Sequence, residues 1–261
     1  MMSCTGGKTG RADRADAPDS PGDTTDLEAQ TDGSGMMPKA ADELFDDFFF
    51  NFADNMRLQT ERIAFPLSVV DGDRHALLSR EQWTMDCFFI PQGYYTLLFD
   101  NEEHMEIVKD TTVRHAVVEK INLDAETVKQ YVFDRVNGIW MMTMVQTIPF
   151  SQKFNATFLS FYRQFASDKA FQRTHLARTV RYVGPDPDED FSQVEGEIMP
   201  DTWEAFAPEL PSKMIYNIIY GQPRKEGNSM IFVMRGIANG QELQMTFRRK
   251  GGTWRLTKLT T

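Results

Sequence analysis

The sequence predicts an α+β fold laid down twice in tandem, with helices first and a run of antiparallel strands after them in each copy. Three observations carry this. The stretch Phe133-Asp134-Arg135-Val136-Asn137-Gly138-Ile139-Trp140 returns near the C-terminus as Phe247-Arg248-Arg249-Lys250-Gly251-Gly252-Thr253-Trp254. Each copy reads as strand, two-residue turn and strand, because Asn137-Gly138 and Gly251-Gly252 supply the positive φ that a tight hairpin needs. Phe45, Phe48, Phe49, Phe52 and Met56, and then Phe158, Phe161, Tyr162, Phe165 and Lys169, fall at i, i+3, i+4, i+7 and i+11, one face of a helix in each half. Finally, Trp140, Met142 and Met144 alternate with Ile139, Met141 and Val145, so both faces of that strand are apolar. A sheet with helices on one side exposes a polar face on the other. The two sheets are therefore expected to meet face to face as an intramolecular pseudo-dimer.

The elements follow in order. After the first aromatic helix, a second short helix through Leu58, Gln59 and Ile63 is expected to stop before Pro66, which pushes its predecessor out of the α region. Leu67–Val70 pairs across Asp71-Gly72-Asp73 with Ala76–Leu78. Ser79-Arg80-Glu81-Gln82 has the form of a capping box opening a short helix that carries Trp83. Strand-like runs follow at Tyr94–Phe99, His104–Val108, Val113–Ile121 and Val128–Val136, and the hairpin then leads into Ile139–Gln146. After a short linker from Ile148 to Gln152 the plan restarts. Trp203 occupies the place of Trp83, and Met214–Tyr220, Met230–Ile237, Leu243–Arg249 and Trp254–Leu259 supply the strands. The resulting division is a disordered tether over 1–41, a first domain over 42–148 and a second over 152–261.

Bulk properties narrow the function. Hydrophobic residues make up 41% of the chain, Phe alone contributes 20, and the formal net charge is −10. An acidic balance with one basic cluster, Arg248-Arg249-Lys250 at a hairpin turn, argues against a nucleic-acid partner. No apolar run approaches the ~18 residues that suggest a membrane span. Cys4 and Cys87 lie in different settings, so a disulfide between them is not expected, and no cysteine–histidine spacing resembles a zinc site. The acidic turn Gly184–Asp190 lacks the alternating ligands and closing glutamate of a calcium loop. Gly7-Lys8-Thr9 lacks the rest of a phosphate-binding loop. No cofactor or metal is implied.

From Thr5 to Thr31 the only large aliphatic residue is Leu27, too little apolar surface to offset the entropy of ordering. Ser3-Cys4 followed by this polar tether resembles the mature start of a bacterial lipoprotein, although only Met1-Met2-Ser3 stands where the apolar signal region of that class would be. The resemblance implies acylation of Cys4, a membrane contact only through that lipid anchor, and a periplasm-facing place in the cell envelope. An ordinary cytosolic start would make the protein cytoplasmic instead.

Two helices before a strand run that ends in a Gly-x-Trp-like hairpin resemble the nuclear-transport-factor-2-like fold, the cone shared with ketosteroid isomerase and limonene epoxide hydrolase. The resemblance covers about residues 42–148 and 152–261 and implies two tandem cone-shaped domains, each with helices closing over a curved antiparallel sheet. The Phe48-Phe49-x-x-Phe52-Ala53 opening and the tandem plan are also similar to a domain-of-unknown-function family, often lipoproteins, from Gram-negative gut anaerobes. The fold hosts enzymes, binders and scaffolds alike.

A cone becomes a catalyst through an acid/base pair on its walls. His115 and Glu119, four apart on one strand face, form the most enzyme-like pair, against which stands a solvated or hydrogen-bonded pair at a sheet margin. Asp86 with Tyr94 or Tyr95 is a second option, since Asp and Tyr serve as base and oxyanion donor in the isomerase relatives. Trp83, Trp203, Tyr216 and Tyr220 are the candidate ligand-pocket residues. Without a nucleophile elbow, metalloprotease helix or dinucleotide turn, the expectation is a non-enzymatic binding or interaction protein. Its partner would be a small apolar ligand or an envelope protein. The competing reading is an isomerase or hydrolase working in one cone.

Overall fold

The computed structural model describes residues 42–189, 192–221 and 226–261. The tether and Cys4 lie outside the described residues. The architecture is mixed α+β, two six-stranded sheets with few helices. In chain order the elements are α1 (Phe45–Asp54), α2 (Met56–Glu61), β1 (Ile63–Asp71), β2 (Arg74–Leu78), β3 (Tyr94–Phe99), β4 (His115–Asn122), β5 (Thr127–Val136) and β6 (Ile139–Pro149). They continue with α3 (Ala156–Ser167), α4 (Lys169–Thr174), β7 (Leu176–Pro185), β8 (Gln193–Ile198), β9 (Met214–Tyr220), β10 (Ser229–Gly236), β11 (Glu242–Lys250) and β12 (Thr253–Thr260). No helix among the described residues is long and apolar enough to cross a membrane.

Both aromatic helices form where the 3.6-residue spacing places them, and both end earlier than that spacing suggests. Asn55 breaks α1 and caps α2 by accepting from the Leu58 N–H at 3.0 Å. Asp168 likewise ends α3 and caps α4, accepting from Ala170 and Phe171. Met56 and Lys169 therefore leave the buried stripe, and Met56 is exposed. Ile63 opens β1 rather than closing α2. Pro66, which has no N–H to give a ladder, sits inside β1 where the register against β6 shifts. His104–Val108 is not a strand but part of a 3-10 segment, Glu103–Lys109. The Asn101 carboxamide accepts from the His104 N–H at 2.9 Å and starts the turn, and a short apolar run cannot by itself distinguish the two states. The box at Ser79 forms, with Gln82 Oε1 accepting from the Ser79 N–H at 2.9 Å, but it opens only a single 3-10 turn that ends before Trp83.

The first sheet has the order β2-β1-β6-β5-β4-β9 and the second β3-β10-β11-β12-β7-β8. Neither is purely antiparallel: β1 runs parallel to β6, and β7 parallel to β12. The long intervening chain permits the crossover that a parallel pair requires. β7 and β8 are absent from the sequence reading because β8 buries only Ile198 and β7 carries exposed arginines between its buried positions.

The topology also exchanges strands. β3 pairs antiparallel with β10, and β9 pairs antiparallel with β4, so each sheet takes its edge strand from the other half of the chain. The two borrowed edges meet each other through side chains. The Thr96 hydroxyl donates to the Tyr216 carbonyl and accepts from the Tyr216 N–H at 2.9 Å, and the Asn217 side-chain Oδ1 accepts from the Leu98 N–H at 2.8 Å. Backbone groups that an edge strand would leave open are thereby satisfied.

The repeated residues make repeated contacts. Phe133 packs edge-on against Phe45, Phe49 and Phe52, and Phe247 against Phe158, Phe161 and Phe165. Trp140 meets Phe45 at 4.9 Å between ring centroids, and Trp254 meets Phe158 at 5.3 Å. Arg135 and Arg249 lie over those tryptophans at 5.2 and 5.1 Å. The turns close as expected, with Asn137, Gly138, Gly251 and Gly252 all at positive φ.

The two apolar faces of β6 have a local cause. A register shift against β5 after Val132 skips Thr143, so Trp140, Met142 and Val145 all turn inward. Ile139 is 40% exposed and Met144 borders an open groove, so the full covering expected for that outer face is not present. Contact between the halves is made elsewhere. Leu97, Phe99, Ile231 and Val233 join the N-terminal core, while Ile121, Val128 and Ile215 join the C-terminal one.

Candidate functional site

Side-chain alternation fixes which residues each sheet turns toward its helices. On β5 the inward set is Lys129, Tyr131 and Phe133, and the outward set is Gln130, Val132 and Asp134, which face Glu119, Val117 and His115 across the ladder. Four clefts are described, and they divide the candidates among them.

His115 and Glu119 share the outward face, beside a groove of about 510 Å³ lined in part by His115, Gln130, Met144 and Lys153. They do not act on each other. His115 Nδ1 lies 2.8 Å from Asp134 Oδ1, and Asp134 Oδ2 accepts from the Thr143 hydroxyl at 2.8 Å. Glu119 is fully buried and forms an ion pair with Lys153, itself almost fully buried. Its carboxylate also accepts from Gln130 at 2.7 Å and Asn217 at 3.1 Å. With three donors already on it, this carboxylate is a structural joint between β4, β5, β9 and the segment ahead of α3. The solvated reading suits His115 and Asp134 and does not suit Glu119.

Asp86 lies on the helix-facing side of the first sheet, where it meets Tyr131 of β5. Gln59 fixes its backbone on both sides, donating to the Asp86 carbonyl at 2.8 Å and accepting from the Asp86 N–H at 3.2 Å. The same Gln59 oxygen accepts from the Trp83 indole N–H at 3.2 Å. Asp86 Oδ1 accepts from the Phe88 N–H at 2.9 Å, and Oδ2 accepts from the Tyr131 hydroxyl. Its tyrosine partner is thus Tyr131, not Tyr94 or Tyr95. Burial, reinforced by the Asp86 charge, raises the Tyr131 pKa far above its ordinary value, so this phenol remains a proton donor. Trp83, Asp86 and Lys129 border a cleft of about 410 Å³. Tyr131 and Lys129 were not singled out in the sequence, although their alternation along β5 places both on the face shared with Phe133.

Tyr94 belongs to a different cleft. It borders the largest cleft described, about 740 Å³, with Leu210, Pro211, Met234 and Leu243 as apolar lining and Glu209, Glu242, Asn239 and Gln241 as polar lining. Burial raises the Tyr94 pKa, which keeps its hydroxyl protonated. Glu242 is engaged by Arg235 at 2.6 Å. Tyr95 is buried instead among Phe50 and Phe89.

The remaining pocket candidates are packing residues. Trp203 is buried, its indole N–H donating to Gln172 at 3.1 Å in the same arrangement as Trp83 with Gln59. Tyr216 sits edge-on to Phe89 at 5.5 Å, and burial, then Asp86, raises its pKa. Tyr220 donates to the Asp46 carboxylate and borders only a small cavity of about 70 Å³.

No curated protein matches the chain. Among solved structures it is similar to an NTF2-like protein from Bacteroides fragilis, at 38% identity and a TM-score of 0.78, over 86% of this chain and 98% of that one. Over residues 24–261 it matches the family described as "Domain of unknown function (DUF4348)". The chain therefore belongs to the DUF4348 family and has an NTF2-like fold.

Proposed function

We propose that this chain is a non-enzymatic binding protein made of two tandem cone-shaped domains that exchange their edge strands, an intramolecular pseudo-dimer. Its ligand is a small, largely apolar molecule held in the 740 Å³ cleft of the C-terminal half. The observation that carries this is the character of that cleft. Its lining combines Leu210, Pro211, Met234 and Leu243 with neutral amides and a protonated phenol, and one of its two carboxylates is committed to Arg235. Such a lining orients a ligand by a few hydrogen bonds. A neutral fluorescent naphthylamine probe should bind saturably, and Leu210→Arg should weaken it about tenfold with an unchanged melting curve. Equal probe binding in wild type and variant would remove the reading.

The second reading, an isomerase or hydrolase in the N-terminal cone, draws support from Asp86 and Tyr131, a carboxylate and a phenol in contact beside a cleft. It is the weaker one, because both Asp86 oxygens already accept hydrogen bonds.

We further propose that acylated Cys4 holds the protein at the envelope, facing the periplasm, with residues 1–41 as the tether. Produced behind a lipoprotein signal region, the protein should sediment with membranes, and Cys4→Ala should release it. A wild type that stays in the soluble fraction would exclude the anchor and favour a cytoplasmic protein.

A further inference from the structure

The cleft beside β5 has at its mouth a loosely paired cation, Lys129, whose side chain is 45% exposed. Lys129 projects from the same face of the first sheet as Tyr131, with Nζ 4.8 Å from the Tyr131 ring centroid and 3.9 Å from Asp86 Oδ2. The second distance is too long for a hydrogen bond. Asp86 cannot close it cheaply, because Oδ1 is held by the Phe88 N–H and Oδ2 by the Tyr131 hydroxyl. Among the described residues, then, the Lys129 ammonium has an attractive neighbour and no acceptor at bonding distance. Partial burial holds its pKa below the ordinary lysine value, although much of the side chain stays in water; Asp86 opposes that shift and Lys120 adds to it.

Around this cation the lining is mixed, with Gln82, Thr84 and Asp86 on its polar side and apolar side chains on the other. Val69, Leu78, Trp83 and Val145 border the cleft, whose volume of about 410 Å³ falls within the range of small-molecule sites, roughly 300–1,000 Å³. An ammonium only loosely paired with Asp86, beside aliphatic and indole side chains, suits a ligand with one negative charge and a hydrocarbon body. A phosphate dianion would bring more negative charge than one lysine beside the Asp86 carboxylate can offset.

We infer that this cleft is a second binding site, for a small apolar monocarboxylate of the medium-chain fatty acid or aryl acid type. The carboxylate accepts from Lys129 Nζ on the side away from Asp86, and the hydrocarbon lies against Val69, Leu78, Trp83 and Val145. The site is distinct from the C-terminal cleft, and either can fail without the other.

Titration calorimetry of the whole protein with octanoate and with 1-octanol separates the charge from the hydrocarbon. Octanoate should bind saturably at wild type with a 1:1 stoichiometry. Lys129→Met, which keeps the length and apolar character of the side chain, should weaken octanoate about tenfold or more, as expected for losing a charge-assisted hydrogen bond. The same variant should leave octanol unchanged or slightly tighter. Leu78→Trp, which fills the cleft from a partly exposed position, should reduce both. Melting curves confirm that each variant is folded. No saturable octanoate binding up to about 10 mM, or octanoate binding that Lys129→Met leaves intact, would overturn the inference.

Discussion

The ion pair between Glu119 and Lys153 offers the sharpest test of how the two halves are joined. Both side chains are almost completely removed from water, at 0% and 3% exposure. Glu119→Gln preserves shape and keeps an acceptor for Gln130 or Asn217, but it leaves the Lys153 ammonium buried without a counter-charge. Breaking one side of a buried pair costs about 3–5 kcal/mol. For a folded unit of this size, about 2–4 °C per kcal/mol, the melting temperature should fall by roughly 6–20 °C. Lys153→Met alone should cost less, because Gln130 and Asn217 still donate to the carboxylate. Combining the two changes should recover much of the loss, since the double variant buries no unmatched charge. Guanidinium denaturation of all four proteins at constant pH gives the coupling energy directly. A Glu119→Gln loss below about 1 kcal/mol, or a double variant as unstable as the sum of the singles, would refute the view that this pair is buried and interdependent.

Other outcomes follow from the same coordinates. Trp140→Ala and Trp254→Ala should each cost about 3–5 kcal/mol in denaturant titrations, because both indoles are buried against an aromatic helix. His115→Ala should cost under about 1 kcal/mol, since its pair with Asp134 is partly solvated, and a larger loss would contradict that placement. Burial raises the Asp46 pKa above its ordinary value of 3.8, outweighing the hydrogen bond from Tyr220. Its stabilising contribution is therefore complete below that ordinary value and is lost as pH climbs through the raised one. Wild type should lose stability relative to Asp46→Asn across that window, and parallel pH–stability curves would count against it. Produced as separate chains, residues 42–148 and 152–261 should each be poorly soluble and should assemble when co-expressed, because each lacks the strand the other carries. Two soluble, fully stable halves would disprove the strand exchange.

What the sequence made legible is what is local. The aromatic stripes of α1 and α3, the two-residue turns and the Arg-over-Trp hairpins all rest on contacts with short-range periodicity, and they stand where their spacing puts them. The exchange of β3 and β9 left no such mark. A strand's alternation states which face is buried but does not name its neighbour, and Tyr94–Phe99 would read the same beside either sheet. The bulge that skips Thr143 was misread as a covered outer face for the same reason, because two inward residues three apart look like two apolar faces. At the candidate site, His115 and Glu119 do share a face. Their partners, Asp134 across the ladder and Lys153 far along the chain, depend on register and on the path of the linker, neither of which is written in the spacing.

The borrowed strands also order events during synthesis. β6 is complete at Pro149, yet the first sheet keeps a raw edge on β4 until Met214–Tyr220 has left the ribosome. Through that interval β3 has no sheet to join, since its partner β10 is made later still. A nascent chain in this state presents both a vacant edge and an unpaired apolar strand, the pairing that could link neighbouring chains on one message into intertwined dimers. The timing of β9's emergence, more than the final stability of either core, then sets how much of the product closes upon itself.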